Sequence, residues 1–295
     1  MLAPGSIQIT LCLLVTYHST EVVAASMCPA GYFCDGNSQG PCPAGHYCPE
    51  GSTNPLPCPH GTYRQEVKGQ SMIDCNICPP GMYCDATGLA APTGACDAGY
   101  YCQEGTSSPH PDSQGPCPAG HYCPTGSTNP SPCPLGTYRQ EVKGQSMTDC
   151  TMCLPGMYCA GEGLAAPTGD CDAGYYCYSG SSSPQPDGSD VTGGLCPAGY
   201  YCPMGSATPI ACTVGTYASL TGQSSCLVCP AGHFCPLQGA TVPMQCPAGY
   251  YSDITGQTTC ILCPVGHYCL AGSTSPTQCP STFSCALTGL VSPKR

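Results

Sequence analysis

The chain has 295 residues, with 31 Cys, 38 Gly, 34 Pro, three Phe, no Trp and a formal net charge of −11 from 17 acids and six bases. Leu, Ile, Val and Phe together make up roughly 13% of residues, under the ~20% below which an ordinary packed core is excluded, while Cys stands at disulfide-scaffold density. The acidic balance excludes nucleic acid and anionic membranes as partners, because both need a basic footprint.

The first segment, 1–25, reads as a signal peptide. The uncharged run IQITLCLLVTY (7–17) has signal length and is too short to span a bilayer. Val23 and Ala25 occupy the small-residue positions before Ser26. Cleavage there removes Cys12 and leaves 30 cysteines, an even number suited to complete pairing in an oxidising compartment. No second apolar stretch is long enough to anchor the chain, so no membrane insertion is expected beyond the signal peptide.

The remaining cysteines fall into units in chain order. Residues 26–57 hold Cys28–Cys34 and Cys42–Cys48. Repeat 1 (58–132) holds Cys58–Cys75, Cys78–Cys84, Cys96–Cys102 and Cys117–Cys123. Repeat 2 (133–211) holds Cys133–Cys150, Cys153–Cys159, Cys171–Cys177 and Cys196–Cys202. A short repeat 3 (212–245) holds Cys212–Cys226 and Cys229–Cys235. Repeat 4 with the tail (246–295) holds Cys246–Cys260, Cys263–Cys269 and Cys279–Cys285. Segments 42–112 and 117–187 overlay without a gap at an offset of 75, sharing GTYRQEVKGQSM, GLAAPTG and DAGYYC.

Two kinds of unit are visible. Eleven are C-x5-C, mostly C-P-x-G-x-[YF]-C, and four are longer loops, with sixteen or thirteen residues between the cysteines. In C-P-x-G, Pro at i+1 and Gly at i+3 suit a type I turn, which swings the two cysteines to within the ~4.4–6.8 Å that a disulfide spans between Cα atoms. The longer units read as two short extended arms around a Gly turn, with Gly-Gln-Ser/Thr before the closing cysteine. The linkers SSPHPDSQGP (107–116) and SSSPQPDGSDVTGG (181–194) read as exposed.

Spacing leaves two pairings open: each unit closing on itself, or neighbouring short units crossing, as in Cys78–Cys96 with Cys84–Cys102. Cys229–Cys235 stands between two long loops with no short neighbour to cross with, which favours self-closure. The fold class expected is small and disulfide-rich: a tandem array of turn and β-hairpin modules in an elongated rod, with little helix outside the signal peptide.

The segment CPAGYYSDITGQTTCILCPVGHYC (246–269), together with 58–75, 133–150 and 212–226, resembles the ephrin-receptor-like cysteine-rich repeat. That repeat is one of the modules in the growth-factor-receptor and tumour-necrosis-factor-receptor style. The resemblance implies an extracellular rod that presents surface for protein contacts or spaces other domains apart. No kinase, CUB, EGF or membrane-spanning segment accompanies the repeats, so receptor signalling is not carried over.

Four Cys-x2-Cys pairs (75/78, 150/153, 226/229 and 260/263) have zinc or redox spacing. A redox pair needs a reactive thiolate, usually at a helix N-terminus, and none of these has that context, so they read as junctions between disulfide loops. His46, His121, His233 and His267 fill a slot that holds Tyr or Met in sister units, so they read as packing or surface rather than ligands. The next position is aromatic in ten of the eleven short units, where a ring can cover the adjacent disulfide. Arg64, Lys68, Arg139 and Lys143 are the only bases of the repeat region and form a candidate binding patch in two copies, with a solvated duplicated loop as the plainer reading.

The function expected is that of a secreted, non-enzymatic scaffold without cofactors or metal, contacting an unidentified extracellular protein or matrix partner. It would act as a spacer or adhesive surface, within a larger ectodomain or alone. The alternative class is a thiolate metal-binding protein, which requires reduced cysteines and a false signal peptide.

Overall fold

The computed structural model describes residues 27–293 apart from Asn37, Ser113, Gln114 and Asp190. The expected signal peptide, with Cys12, Val23 and Ala25, lies outside the described residues.

The two kinds of cysteine unit become one in three dimensions. The chain runs through fifteen successive coils, beginning at Cys28, Cys42, Cys58, Cys78, Cys96, Cys117, Cys133, Cys153, Cys171, Cys196, Cys212, Cys229, Cys246, Cys263 and Cys279. Counting that cysteine as position 1, Gly holds position 4 and an aromatic holds position 6 in every coil but the last, where Thr282 and Ser284 stand instead.

The turn at the head of each coil is one residue later than the sequence suggests. The N–H of position 5 donates to the carbonyl of position 2, as Tyr32 does to Pro29 at 3.1 Å and Met82 to Pro79 at 3.2 Å. The glycine is therefore residue i+2, and it takes a positive φ, +84° at Gly31 and +80° at Gly81. That is the type II requirement, which a Cβ would resist, so Gly is demanded by backbone conformation rather than merely preferred.

After the turn, positions 5 and 6 form a two-residue strand that pairs antiparallel with residues just before the next coil's first cysteine. Thirteen two-stranded hairpins result among the described residues, for example His46–Tyr47 with Leu56–Pro57 and Thr62–Tyr63 with Asn76–Ile77. Isolated hairpins this short are not stable in water, so stacking must hold them.

Every junction between successive coils is made by the same four backbone hydrogen bonds. Between the first two coils, Gly31 N–H donates to Cys48 O, Cys34 N–H to Ser52 O, Cys42 N–H to Gly31 O and Gly51 N–H to Cys28 O, all at 2.7–3.0 Å. The pattern recurs through all fourteen junctions. A coil this small cannot bury a face alone, and stacking supplies the partner. Among the described residues the buried apolar ones are almost all half-cystines, most of them wholly inaccessible, joined only by Ala218 and Leu290. Disulfides therefore serve as both staple and core. Among the described residues, regular helix is confined to two single 3-10 turns, Met72–Asp74 and Met147–Asp149. No helix among the described residues is long and apolar enough to cross a membrane.

Candidate interaction loops

Coils 3, 7, 11 and 13 carry the long disulfide loops, and position 7 explains them. In the other coils position 7 is the second cysteine, bonded to position 1, with Cα atoms 5.8–6.3 Å apart. In these four it is Arg64, Arg139, Ala218 and Ser252. The partner of position 1 then comes from the residue three before the next coil: Cys75, Cys150, Cys226 and Cys260. The Cys-x2-Cys pairs are thus the closing half-cystine of one coil followed by the opening one of the next. No group of three or more His, Cys, Asp or Glu side chains able to hold a metal ion occurs among the described residues.

Arg64 fills the vacated site by bracing its own loop. Its two terminal nitrogens donate to the carbonyls of Asp74 (2.7 Å) and Val67 (3.4 Å), at the two ends of the protruding segment. Arg139 repeats this with Asp149 (3.0 Å) and Val142 (3.3 Å). The planar fork suits two carbonyls at once. The Nε of each arginine is buried without a hydrogen-bond partner, a cost tolerated in both copies. Gly69 and Gly144 lie against these side chains. A Cβ on Gly69 would stand 2.6 Å from His46 O and 2.8 Å from Arg64 Nε.

The loop end is held by Asp74, whose carboxylate accepts N–H bonds from Gln70 (2.6 Å) and Ser71 (3.1 Å). These two bonds, more than the charge of Arg64, hold its carboxyl below the usual carboxylate range, and Asp149 behaves the same way with Gln145 and Ser146.

Lys68 and Lys143 occupy a place that is glycine in twelve other coils. The N–H at this position donates to the first cysteine of the preceding coil, and the backbone there is left-handed. Both lysines have φ of +62°, the only non-glycine residues with positive φ among those described. Each ammonium lies over a tyrosine two coils back, Lys68 over Tyr32 at 5.1 Å and Lys143 over Tyr100 at 5.0 Å. Such a cation–π contact contributes about 0.5–1 kcal/mol at an exposed site, comparable to the strain it offsets.

The four bases of the candidate patch thus all make contacts within the chain. What faces outward beside them is apolar. Val67, Met72 and Ile73 are exposed, Ile73 at 92%, and Val142 and Met147 repeat the pattern. Sequence reasoning passed over these residues, although three apolar side chains in a Gln/Glu/Ser/Asp-rich loop were a usable signal.

The position-6 aromatics are half-buried across the hairpins. Alternation along a strand sends each ring away from the cysteine next to it. Where the cross-strand partner is glycine, the ring lies over it, as Phe33 does over Gly40, Tyr83 over Gly94, and Tyr158 over Gly169. The histidines at position 5 donate from Nδ1 to a carbonyl two residues back, His46 to Ala44 and His121 to Ala119, both at 3.1 Å. Their rings then rest against the glycines of coils two further on, Gly88 and Gly163, a packing role.

Residues 199–246 match the family described as tyrosine-protein kinase ephrin type A/B receptor-like. The matched span starts at the turn glycine of coil 10 and ends on the first cysteine of coil 13, covering the Cys212–Cys226 loop. No curated protein matches the chain.

Proposed function

We propose that this ephrin-receptor-like cysteine-rich repeat protein is a secreted, non-enzymatic scaffold that holds protein-contact surfaces at fixed spacing in the extracellular space. The observation that carries this reading is the unbroken ladder: fifteen disulfide-centred coils joined by one repeated junction, with no other core among the described residues. Such an array supplies reach and stiffness. Its cysteines need an oxidising compartment to close.

The contact surfaces are the segments 65–74 and 140–149, each presenting its lysine beside exposed apolar side chains. They recur at the same place four coils apart, an arrangement suited to binding one partner twice, with avidity in place of high single-site affinity. Arg64 and Arg139 shape these segments from beneath, and Lys68 and Lys143 supply the charge.

The full chain expressed in secretory cells should enter the medium with close to no free thiols and no bound zinc. Many thiols with co-purifying zinc would overturn the scaffold in favour of the metal-binding class. Deletion of residues 42–116 should shorten the particle in small-angle X-ray scattering and leave the rest folded. Met72→Ser with Ile73→Ser and Met147→Ser should weaken attachment to extracellular matrix laid down by cultured cells. Unchanged attachment removes the loops from the proposal.

A further inference from the structure

The two segments that overlay at the 75-residue offset, 42–112 and 117–187, each end in a Ser/Pro-rich linker, and the two linkers differ at one informative position. Ser108-Pro109-His110-Pro111-Asp112 in the first is Ser183-Pro184-Gln185-Pro186-Asp187 in the second. The backbone is held alike in both. Ser108 Oγ accepts the His110 N–H at 3.2 Å, and Ser183 Oγ accepts the Gln185 N–H at 3.1 Å. The N–H of Asp97 donates to Pro109 O, and that of Asp172 to Pro184 O.

From this common frame the two side chains reach equivalent carboxylates. His110 Nε2 lies 2.6 Å from Asp97 Oδ2, and Gln185 Nε2 lies 2.7 Å from Asp172 Oδ2. Gln185 is a neutral donor at every pH. His110 is a neutral donor when deprotonated and a cation when protonated.

We infer that the first linker is a pH-operated clasp between coils 5 and 6, and that the second, between coils 9 and 10, is its pH-insensitive counterpart. At alkaline pH His110 does what Gln185 does, donating one neutral hydrogen bond. Protonation turns that bond into a charge-assisted one, so the hold of the linker on coil 5 rises as pH falls and relaxes to that of a neutral hydrogen bond as pH rises.

The surroundings of His110 accommodate the cation. Tyr100 of coil 5 faces its ring, with centroids 4.8 Å apart and a tilt of 60°. Lys143 of coil 7 sits over that same tyrosine. Glu104 and Asp112 line, with His110, the concavity that the linker encloses. The charges around the imidazole are therefore Asp97, Glu104 and Asp112 against the single ammonium of Lys143. The second linker has no lysine two coils on, because Gly222 holds that place.

The pair is half-exposed, at 53% and 55%, so the effect is that of a surface ion pair, roughly 1.5- to 5-fold in linker opening. Hydrogen exchange of the full chain, followed by mass spectrometry at about pH 5.5 and pH 8 and corrected for intrinsic exchange, tests it. Peptides covering 107–112 should gain that protection at the lower pH, and peptides covering 182–189 should not. His110→Gln should flatten the first response, and Gln185→His should create one in the second. Equal responses in both linkers, or a response that survives His110→Gln, would overturn the clasp.

Discussion

The loops of coils 3 and 7 and those of coils 11 and 13 solve one problem in two ways. All four lack a cysteine at position 7, yet the ladder passes through that position unchanged: Arg64, Arg139, Ala218 and Ser252 each donate their N–H to the following coil and accept from the preceding one. Coils 11 and 13 close with a sequence separation of 14, and a small, fully buried Ala218 or Ser252 suffices. Coils 3 and 7 close with a separation of 17, and the surplus becomes a 3-10 turn that needs bracing. The arginine is what a loop of the greater length requires, which places it in the architecture first and on any binding surface second.

The largest test of this contrast removes the staple. Cys212→Ala with Cys226→Ala should cost about 2–4 kcal/mol and open its loop to proteolysis, because nothing but the backbone ladder remains. Cys58→Ala with Cys75→Ala should leave its loop partly protected, since Arg64 still grips both ends. Equal cleavage of the two loops would erase the distinction. A non-reduced peptide map of the parent chain belongs with this experiment: a Cys78–Cys96 peptide would replace self-closing coils with crossed ones.

Next in size is the brace itself. Arg64→Ala should destabilise segment 65–74 by about 1–2 kcal/mol, read as faster hydrogen exchange, and Arg64→Lys should fail to rescue it because the two-pronged geometry is lost. The reverse change, Ala218→Arg, should destabilise by about 1–3 kcal/mol, since that site is already full.

Smaller again is the left-handed position. Lys68→Ala keeps the strain and loses the Tyr32 contact, so it should cost about 0.5–1 kcal/mol, whereas Lys68→Gly removes both and should be close to neutral. Gly222→Lys should be unfavourable, with a left-handed backbone and Leu195 packed against the new Cβ. Thermal melts of the variants separate these outcomes.

The smallest effect is acidic. Asp74 has a folded-state pKa below its ordinary value of 3.8, so its contribution is present above that value and fades as pH falls through the lowered one. Acidification below about pH 4 should loosen 70–75, and Asp74→Asn should remove the dependence. Coils 11 and 13, which have no such aspartate, should not respond through this route.

Much of the fold was legible because C-x-x-G-x-aromatic is a local instruction, and turn, strand and half-cystine follow from it within seven residues. The identity of long and short units was hidden, because cysteine spacing counts residues along the chain while position 7 is defined across the junction. The shared Gly-Gln-Ser/Thr is out of step with the ladder for the same reason. It aligns Gly69 with Gly222, whereas the ladder places Lys68 there, its N–H bonded to Cys42 O as that of Gly222 is to Cys196 O. The type I reading of C-P-x-G failed by one residue because Gly suits both turn types and only the positive φ separates them. As for the candidate patch, its four bases were found by composition, but their intramolecular partners lie up to two coils away.

The uniform junction has a consequence for how such a chain can change length. Any whole number of coils can be added or removed from the interior, and the cut ends rejoin through the same four hydrogen bonds. A fractional number would leave a turn facing a loop. The 75-residue offset runs from the coil at Cys42 to the coil at Cys117, which is four coils, so the duplicated stretch re-entered the stack in phase. That is why Lys143 meets Tyr100 as Lys68 meets Tyr32, and why a copied decoration lands where it can be used without repair.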